Sequence, residues 1–157
     1  MEAKLRATLR NGKFDQVPPV RTKVMSAVRS RGNRSTELAF RLALVRAGVK
    51  GWKLHASGLT GCPDFCFPSE RTVVFIDGCF WHGCPKCHHS SIRTRSGYWT
   101  EKIKLNRARD LRVTRSLRSH GWRVIRVWEH ELGQSPPPVI GRITRAFRSG
   151  PHATFRV

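Results

Sequence analysis

The sequence predicts a mixed α/β domain in which one β-sheet is flanked by helices. Three observations lead to this fold class. The chain has 157 residues, enough for one domain with a modest hydrophobic core. Its helix-like and strand-like segments follow the order helix, three strands, helix, strand, helix. Two of the strands are separated by only four turn-forming residues, which indicates a hairpin within a sheet whose other connections are longer.

The N-terminal part of the chain is basic and predicted to be helical after an irregular start. Residues 1–20 are expected to be a flexible basic arm, and Arg21–Arg31 can form a short helix. A second helix is expected to begin with Ser35 or Thr36 as its cap and to stop at Gly48, because glycine readily takes left-handed backbone angles. The apolar residues expected to form its buried stripe are Leu38, Ala39, Phe40, Leu42 and Val45.

The rest of the chain alternates strand-like and helix-like segments. The three strand-like runs are Trp52–Ala56, Asp64–Phe67 and Thr72–Asp77. Residues 68–71 look like the hairpin turn between the last two runs. A long basic helix is predicted over Tyr98–Ser119, followed by a strand over Trp122–Trp128. Pro136–Pro138 precede a short final helix, and residues 149–157 are expected to be a frayed tail.

The charge balance favours a polyanionic partner. Thirty Lys and Arg residues against ten Asp and Glu residues give a net charge of +20 and a pI near 11.5. Nucleic acid is the leading partner, because basic side chains that neutralise phosphates release bound counterions. A generally basic soluble protein is the plainer alternative. Binding to a membrane is not expected, since the sequence has no long apolar run and its first twenty residues lack the apolar core of a signal peptide. We therefore expect a reducing, cytoplasmic location.

Two aspartates suggest a magnesium site. Asp64 and Asp77 lie on opposite arms of the predicted hairpin, so antiparallel pairing should bring them to the same end of the sheet. Converging carboxylates repel each other unless a cation joins them, and Mg²⁺ prefers such oxygen ligands. Glu37 is a plausible third acid on the preceding helix. Alternatively, one aspartate caps a turn and the other is solvated.

The cysteines suggest a zinc site. All five lie between Cys62 and Cys87, and an odd number in a short segment argues against a disulfide framework. The thiols with metal-ligand spacing are Cys79, Cys84 and Cys87. A tetrahedral zinc site needs a fourth ligand, for which the spacing leaves four candidates open: His82, His88, His89 and His130. Cys62 and Cys66 have no obvious partners and are expected to be small core residues, and buried free thiols remain the alternative for the other three.

Aromatic and polar residues near the cysteines suggest a DNA-binding surface. Phe80 and Trp81 are adjacent on a loop between the thiols, and adjacent loop side chains rarely both point inward. A projecting aromatic pair on a cationic surface can wedge between bases, although both rings could be core residues. Residues spaced by three or four share one face of the long helix: Trp99, Lys102, Asn106 and Asp110. This face is too polar for an ordinary core.

Six ordered blocks of sequence resemble the very-short-patch repair (Vsr) endonucleases, the bacterial enzymes that nick DNA at T:G mismatches. The resemblance runs from about Arg21 to Leu132. The blocks that carry it are R-T-K-V-M at 21–25, T-E-L at 36–38, P-D-F at 63–65, F-I-D-G-C-F-W-H-G-C-P at 75–85, and the pair Y-W-x2-K-x3-N-x3-D at 98–110 with G-W-R-V-x-R-V-W-E-H at 121–130. It implies a restriction-endonuclease-like fold of the PD-(D/E)xK superfamily and a single Vsr-like domain over residues 21–148.

The resemblance also implies roles for individual residues. Asp64 matches the aspartate that binds Mg²⁺, and Ile76 matches the position whose backbone carbonyl completes that site. His82 matches a histidine that assists proton transfer, with Asp110 as the partner that orients it. The residues matching the DNA-contacting set are Met25, Phe80, Trp81, Trp99, Lys102 and Asn106. Family zinc sites use a cysteine or histidine after W-E, which favours His130. Asp77 takes a place where some members have histidine, so its role is open between metal ligand and base.

The expected function is therefore Mg²⁺-dependent hydrolysis of one phosphodiester next to a T:G mispair in double-stranded DNA, which begins very-short-patch repair. The protein is expected to act as a monomer in the bacterial cytoplasm near the nucleoid, with Zn²⁺ in a structural site and mismatch-repair proteins as candidate partners. Two alternatives stay open. One is a restriction-type or element-encoded nuclease with another target, and the other is a noncatalytic, zinc-stapled nucleic-acid-binding protein.

Overall fold

The computed structural model describes residues 34–87 and 96–148. Several predictions therefore lie outside the described residues: the arm 1–20, the helix Arg21–Arg31 with Met25, the zinc candidates His88 and His89, and the tail 149–157. No helix in the described ranges is both long and apolar enough to cross a membrane.

The described residues form the predicted mixed sheet. Its strands are β1 (Lys53–Leu54), β2 (Phe65–Phe67), β3 (Thr72–Asp77) and β4 (Arg123–Trp128). They lie in the order β1-β2-β3-β4. Strand β2 is antiparallel to both β1 and β3, and β3 is parallel to β4. The predicted hairpin is confirmed, since Phe65 pairs with Val74 and Phe67 with Thr72. The carboxyl ends of β3 and β4 therefore meet at one edge of the sheet.

The helices surround this sheet. A π-helical segment, Arg34–Leu38, leads into α1 (Ala39–Arg46), and the later helices are α2 (Ser96–Ser119), α3 (Glu129–Gln134) and α4 (Pro136–Arg148). The long helix α2 supplies the crossover that a parallel β3–β4 pair requires. Helix α3 was not predicted. The three prolines begin α4 and do not precede it, because the first helical turn leaves its N–H groups unpaired in any case.

The buried stripe predicted for the first helix is wrong in part. Leu42 and Val45 are 46% and 60% exposed, whereas Phe40 and Leu44 are fully buried. Apolar residues lie on more than one side of this helix, so its sequence did not single out the inner face. The helical stretch also begins at Arg34, before the predicted caps.

The core lies on both faces of β3, which explains its continuous apolar sequence. Val74 packs on one face with Phe40, Phe65 and other residues from α1, α3 and α4. Val73 and Phe75 pack on the opposite face with residues that include Leu117 of α2. Because β3 is enclosed on both faces and both edges, its carboxyl end is held firmly. The residues that follow this end, from Asp77 onward, form the candidate site.

Candidate active site and metal-ligand cluster

A cavity of about 840 Å³ opens at the point where β2 begins and β3 ends. Its walls come from the start of the first helix, the two strands, the loop after β3, α2 and β4. The acidic, basic and histidine residues that line it are Glu37, Asp64, Asp77, His82, Arg109, Asp110, Arg126 and Glu129. All five residues predicted from the sequence to be catalytic are in this set. They fall into two groups of neighbouring side chains.

The first group consists of Glu37, His55 and Asp64. Their candidate ligand atoms all lie within 4.8 Å of one another. His55 Nε2 lies 3.1 Å from Glu37 Oε1, and the N–H of Ile76 donates to Asp64 Oδ2 at 2.7 Å. Two carboxylate oxygens and an imidazole nitrogen at this separation form a site that a divalent cation can occupy.

The electrostatics of Asp64 favour a cation in this place. Burial raises the pKa of Asp64, the hydrogen bond from Ile76 opposes that rise, and the nearby charge of Glu37 adds to it. The net direction is upward, so the ionised form of Asp64 is held in an unfavourable environment. A cation between the two carboxylates would relieve both the burial and the repulsion.

The second group consists of Asp77, His82, Asp110 and Arg126. His82 Nδ1 donates to Asp110 Oδ2 at 2.5 Å, while Asp77 Oδ1 lies 3.6 Å from the same nitrogen. Arg126 donates from Nε and Nη2 to the two oxygens of Asp77, both at 2.6 Å. Its Nη2 also lies 3.1 Å from Asp110 Oδ1. One guanidinium therefore contacts both carboxylates that flank the imidazole.

These contacts shift the ionisation of Asp110. Burial raises the pKa of Asp110. The hydrogen bond to His82 and the charges of His82, Arg126 and Arg109 together lower that pKa by more than burial raises it, so the net direction is downward. Asp110 is thus a stable carboxylate acceptor for the ring. The other ring nitrogen of His82, Nε2, makes no hydrogen bond to the described residues. His82 lines the cavity, so this nitrogen is available to a ligand.

The structure places the two aspartates at the same end of the sheet, as the hairpin predicted, but their carboxylates belong to different groups of candidate ligands. Both line the cavity, but Asp64 belongs with Glu37 and His55, and Asp77 belongs with His82 and Asp110. The physical reason is Arg126, which lies on the neighbouring parallel strand and engages both oxygens of Asp77. A joint cation site made by Asp64 and Asp77 is therefore not the arrangement observed.

Beyond Asp77, the chain enters a loop that carries a metal-ligand cluster. Cys79, Cys84, Cys87 and His130 offer ligand atoms within 4.8 Å of one another. His130 Nδ1 lies 3.3 Å from Cys79 Sγ and 3.5 Å from Cys84 Sγ. Ligands bound tetrahedrally to one Zn²⁺ would place sulfur and nitrogen about 3.5 Å apart, given Zn–S and Zn–N distances of roughly 2.3 and 2.0 Å. The cluster therefore has the dimensions of a four-ligand zinc site.

The thiols of this cluster differ in their acidity. Burial raises the pKa of Cys79 to about 12, assisted by a hydrogen bond to the Cys87 thiol. Burial also raises the pKa of Cys84, but N–H groups of Cys87 and Lys86 lower it more, so the net direction is downward. Backbone N–H groups aimed at a sulfur are the usual environment of a thiolate ligand.

Of the histidine candidates in the described residues, His82 and His130, it is His130 that lies with the three cysteines. It lies in the first turn of α3, directly after β4, and so ties that end of the sheet to the loop. His82 instead faces Asp110, on the cavity side. The two histidines thus serve different clusters.

An aromatic cluster, formed by Phe80, Trp81, Tyr98 and Trp99, projects beside the loop. The rings of Phe80, Trp81 and Trp99 contact one another edge to face at 5.1 to 5.7 Å, and Tyr98 contacts Trp99. Phe80, Trp81 and Trp99 are all half-buried. The rings support one another in a fixed arrangement while keeping part of their surface exposed.

The predicted polar face of α2 turns toward this loop. Asn106 donates from its amide to the carbonyl of Trp81 at 2.8 Å, and Asp110 bonds His82. Gly83 comes so close to the helix that a Cβ there would lie 2.7 Å from Ile103, and its φ of +65° also favours glycine. The loop is therefore fitted closely against the helix. Lys102 lies on the same helical face and is half-buried.

Sequence reasoning missed His55 and Arg126. Each carried a weak signal, since Arg126 is a charged residue in the middle of the apolar run W-R-V-I-R-V-W and His55 follows a strand-like pair directly. Their partners are distant in sequence, Glu37 and Asp77, which is why pattern alone did not identify them.

Comparisons with known proteins are consistent with this geometry. Residues 13–89 match the family described as "DNA mismatch endonuclease Vsr". The chain is 43% identical over 120 residues to "Type II nicking enzyme V.XorIIP" of Xanthomonas oryzae pv. oryzae, spanning 75% of this chain and 86% of that protein. It is 43% identical over 115 residues to "Type II nicking enzyme V.NaeI" of Lentzea aerocolonigenes, spanning 71% and 68%. It is 38% identical over 117 residues to "DNA mismatch endonuclease Vsr" of Escherichia coli, spanning 71% and 70%.

Proposed function

Since this chain belongs to the DNA mismatch endonuclease Vsr family and is a DNA endonuclease, we propose that it nicks duplex DNA beside a T:G mispair. The reaction is Mg²⁺-dependent hydrolysis of one phosphodiester bond, the first step of very-short-patch repair. The observation that carries this proposal is a single cavity that contains both an oxygen-rich cation site and the His82–Asp110 pair. Phe80 and Trp81 of the aromatic cluster lie on the loop that bears His82.

The residues fit a bound Mg²⁺. Asp64 and Glu37 supply carboxylate oxygens, and Ile76, whose N–H donates to Asp64 Oδ2, also lines the cavity. We assign the Mg²⁺ site to Asp64 and the carbonyl of Ile76, with Glu37 and His55 beside it. The bound cation would offset charge on the scissile phosphate and make a water molecule more acidic. Asp77 takes no part in binding it, because Arg126 engages both of its oxygens.

His82 is the group that exchanges a proton. Its Nδ1 is engaged by Asp110, so the ring orientation and the proton on Nδ1 are fixed and Nε2 is left to face the reacting phosphate. An imidazole held in this way can accept a proton on Nε2 and donate it again. The carboxylate of Asp110 stabilises the protonated ring when the proton arrives.

The aromatic cluster provides a route to mismatch selectivity. Phe80, Trp81 and Trp99 form a rigid wedge that can enter the base stack, and a T:G wobble pair opens at a lower energy than a matched pair. Asn106 holds the wedge through the carbonyl of Trp81, and Lys102 on the same helical face approaches the mispaired bases. The net charge of +20 supplies phosphate attraction that does not depend on sequence.

The role of zinc in this proposal is structural. Cys79, Cys84, Cys87 and His130 would fill all four positions around Zn²⁺, which leaves none for water or substrate. The ion would hold the loop that carries His82 together with Phe80 and Trp81 of the aromatic cluster. No chemical step needs it.

The test is a nicking assay on two duplexes that differ only in a T:G or T:A pair. With Mg²⁺, the protein should nick the T:G duplex at least tenfold faster, and Asp64→Ala should abolish the cut while still binding DNA. Equal cleavage of both duplexes would replace the mismatch assignment by a nuclease with another target. Binding without cleavage by the unaltered protein would contradict the proposed reaction.

A further inference from the structure

We propose that Arg126 is a positioning residue for this hydrolysis, which holds Asp77 away from His82 so that Asp110 alone orients the imidazole ring. The proposal rests on the proposed function in one respect, the use of His82 in proton exchange. Its structural content, the coupling of Arg126 to the orientation of His82, can be measured without any cleavage.

Two carboxylates compete for one nitrogen of His82. Nδ1 can carry a single hydrogen, and it faces Asp110 at 2.5 Å and Asp77 at 3.6 Å. Both carboxylates are largely enclosed, with side-chain exposures of 16% and 6%. Without another donor for Asp77, its oxygens would turn to the ring N–H of His82, since Nδ1 lies 3.6 Å from Asp77 Oδ1. The ring would then have two competing orientations.

Arg126 removes this competition. Its Nε and Nη2 donate to both oxygens of Asp77 at 2.6 Å, in the forked geometry that only a planar guanidinium provides. The same Nη2 lies 3.1 Å from Asp110 Oδ1, the oxygen not used by His82. Asp77 is thereby occupied, and Asp110 is fixed with its other oxygen directed at the ring.

Arg126 is itself held in place by the sheet. The parallel register of β3 and β4 sets Arg126 beside Phe75, and its guanidinium lies 5.0 Å from the centre of that ring. The third nitrogen, Nη1, is buried and has no hydrogen-bond partner among the described residues. A guanidinium with its free edge buried and its other donors on carboxylates is not arranged to bind a DNA phosphate. Its orientation serves the two acids.

The test compares three variants: Arg126→Met, Asp77→Asn and the double variant. Arg126→Met should lower kcat for the T:G duplex by about 10- to 100-fold, the usual loss when a supporting partner is removed, with KM changed less than about threefold. The double variant should recover at least fivefold over Arg126→Met, because the competing charge is gone as well. Arg109→Met is the matched control. It also removes a guanidinium near Asp110 (3.7 Å), but it does not contact Asp77, so adding Asp77→Asn should give no recovery.

A second measurement follows the ring directly. In ¹⁵N NMR spectra of metal-loaded protein without DNA, His82 should give one set of ring signals with the proton on Nδ1. Arg126→Met should give two sets or an averaged set, and the double variant should return to one. If Arg126→Met does not fold, Arg126→Lys replaces it, since one ammonium cannot hold both oxygens of Asp77 as a fork.

Three results would overturn the proposal: a double variant no more active than Arg126→Met, a raised KM with unchanged kcat, or His82 ring signals that do not respond to Arg126. The second result would make Arg126 a DNA contact. If the unaltered protein cleaves neither duplex, the proposed function fails, and the NMR measurement still decides the role of Arg126.

Discussion

The same substitution at two aspartates of the cavity should change stability in opposite directions. Asp64→Asn is expected to stabilise the protein when Mg²⁺ is absent, whereas Asp77→Asn is expected to destabilise it. Both side chains line one cavity and both lose one negative charge. The difference lies in their neighbours, because Asp64 faces Glu37 and Asp77 faces Arg126.

The gain at Asp64 follows from its distance to Glu37. Two unit charges within 4.8 Å repel by roughly 1 kcal/mol at the dielectric constant of water and by roughly 3.5 kcal/mol at an effective value of 20. Burial adds to this repulsion, while His55 and the N–H of Ile76 offset part of it. A net gain of about 1 to 2 kcal/mol should raise Tm by about 2 to 8 °C in a protein of this size.

The loss at Asp77 follows from its bonds to Arg126. Breaking a buried ion pair on one side typically costs about 3 to 5 kcal/mol, because the remaining charge is left without a partner. Asparagine keeps one acceptor oxygen for Arg126, so the expected loss is about 2 to 4 kcal/mol. Tm should fall accordingly.

The assay is thermal unfolding in buffers freed of Mg²⁺ by a resin, with zinc retained, followed by the same melts with Mg²⁺. Mg²⁺ should raise Tm of the unaltered protein and of Asp77→Asn, but not of Asp64→Asn. The pKa of Asp64 is raised in the folded state, so the destabilisation caused by its ionisation is complete above that folded pKa and absent below the unfolded value of 3.8. The advantage of Asp64→Asn should therefore shrink as pH falls toward 3.8. A lower Tm for Asp64→Asn without Mg²⁺, or an undiminished response to Mg²⁺, would refute this reasoning.

Three further predictions concern zinc, the wedge and acid stability. His130→Ala should lower the zinc content measured by mass spectrometry. The control variant Cys66→Ala changes a buried thiol outside the cluster and should retain its zinc. Equal zinc content in both variants would show that His130 is not a ligand. Phe80→Ala should reduce the preference for T:G over T:A duplexes, measured as the ratio of kcat/KM values, by about 10-fold. This corresponds to the loss of a wedging interaction worth roughly 1.4 kcal/mol. An unchanged ratio would exclude a role of Phe80 in selectivity. Because the pKa of Asp110 is lowered in the folded state, its ionisation stabilises the protein above pH 3.8, and this stability is lost as pH falls through the folded-state pKa. Asp110→Asn should therefore flatten that part of the acid-unfolding curve. Curves of equal slope would contradict this prediction.

The sequence predicted those parts of the fold that depend on local pattern. Strand β3 was predicted with its observed bounds, because its apolar run is limited by a turn on one side and Gly78 on the other. The face of α2 that bears Trp99, Asn106 and Asp110 was likewise predicted from spacing alone. In the structure, these three residues contact the loop after β3.

Long-range register could not be predicted in this way. The pairing of Asp77 with Arg126 joins residues 49 positions apart and depends on the parallel alignment of β3 with β4. The contact of His55 with Glu37 depends on how the first helix lies across the sheet. Helix α3 has only six residues and contains Gly133, so it carries no periodic signal. Each of these features is set by tertiary packing.

One short loop connects the functions proposed for this protein, and its anchoring explains how they depend on one another. The N–H of His82 donates to the carbonyl of Gly78, and that of Cys84 donates to the carbonyl of Cys79, so the loop is a closed turn that begins at the end of β3. His130 lies beside Cys79 and Cys84 and fixes this turn to the end of β4. Because the ring of His82 and two rings of the aromatic cluster, Phe80 and Trp81, extend from the same turn, any movement of the turn displaces them together. Mismatch wedging and proton exchange should therefore be lost together when the zinc site is broken, and separately when only Phe80 or only Asp110 is changed.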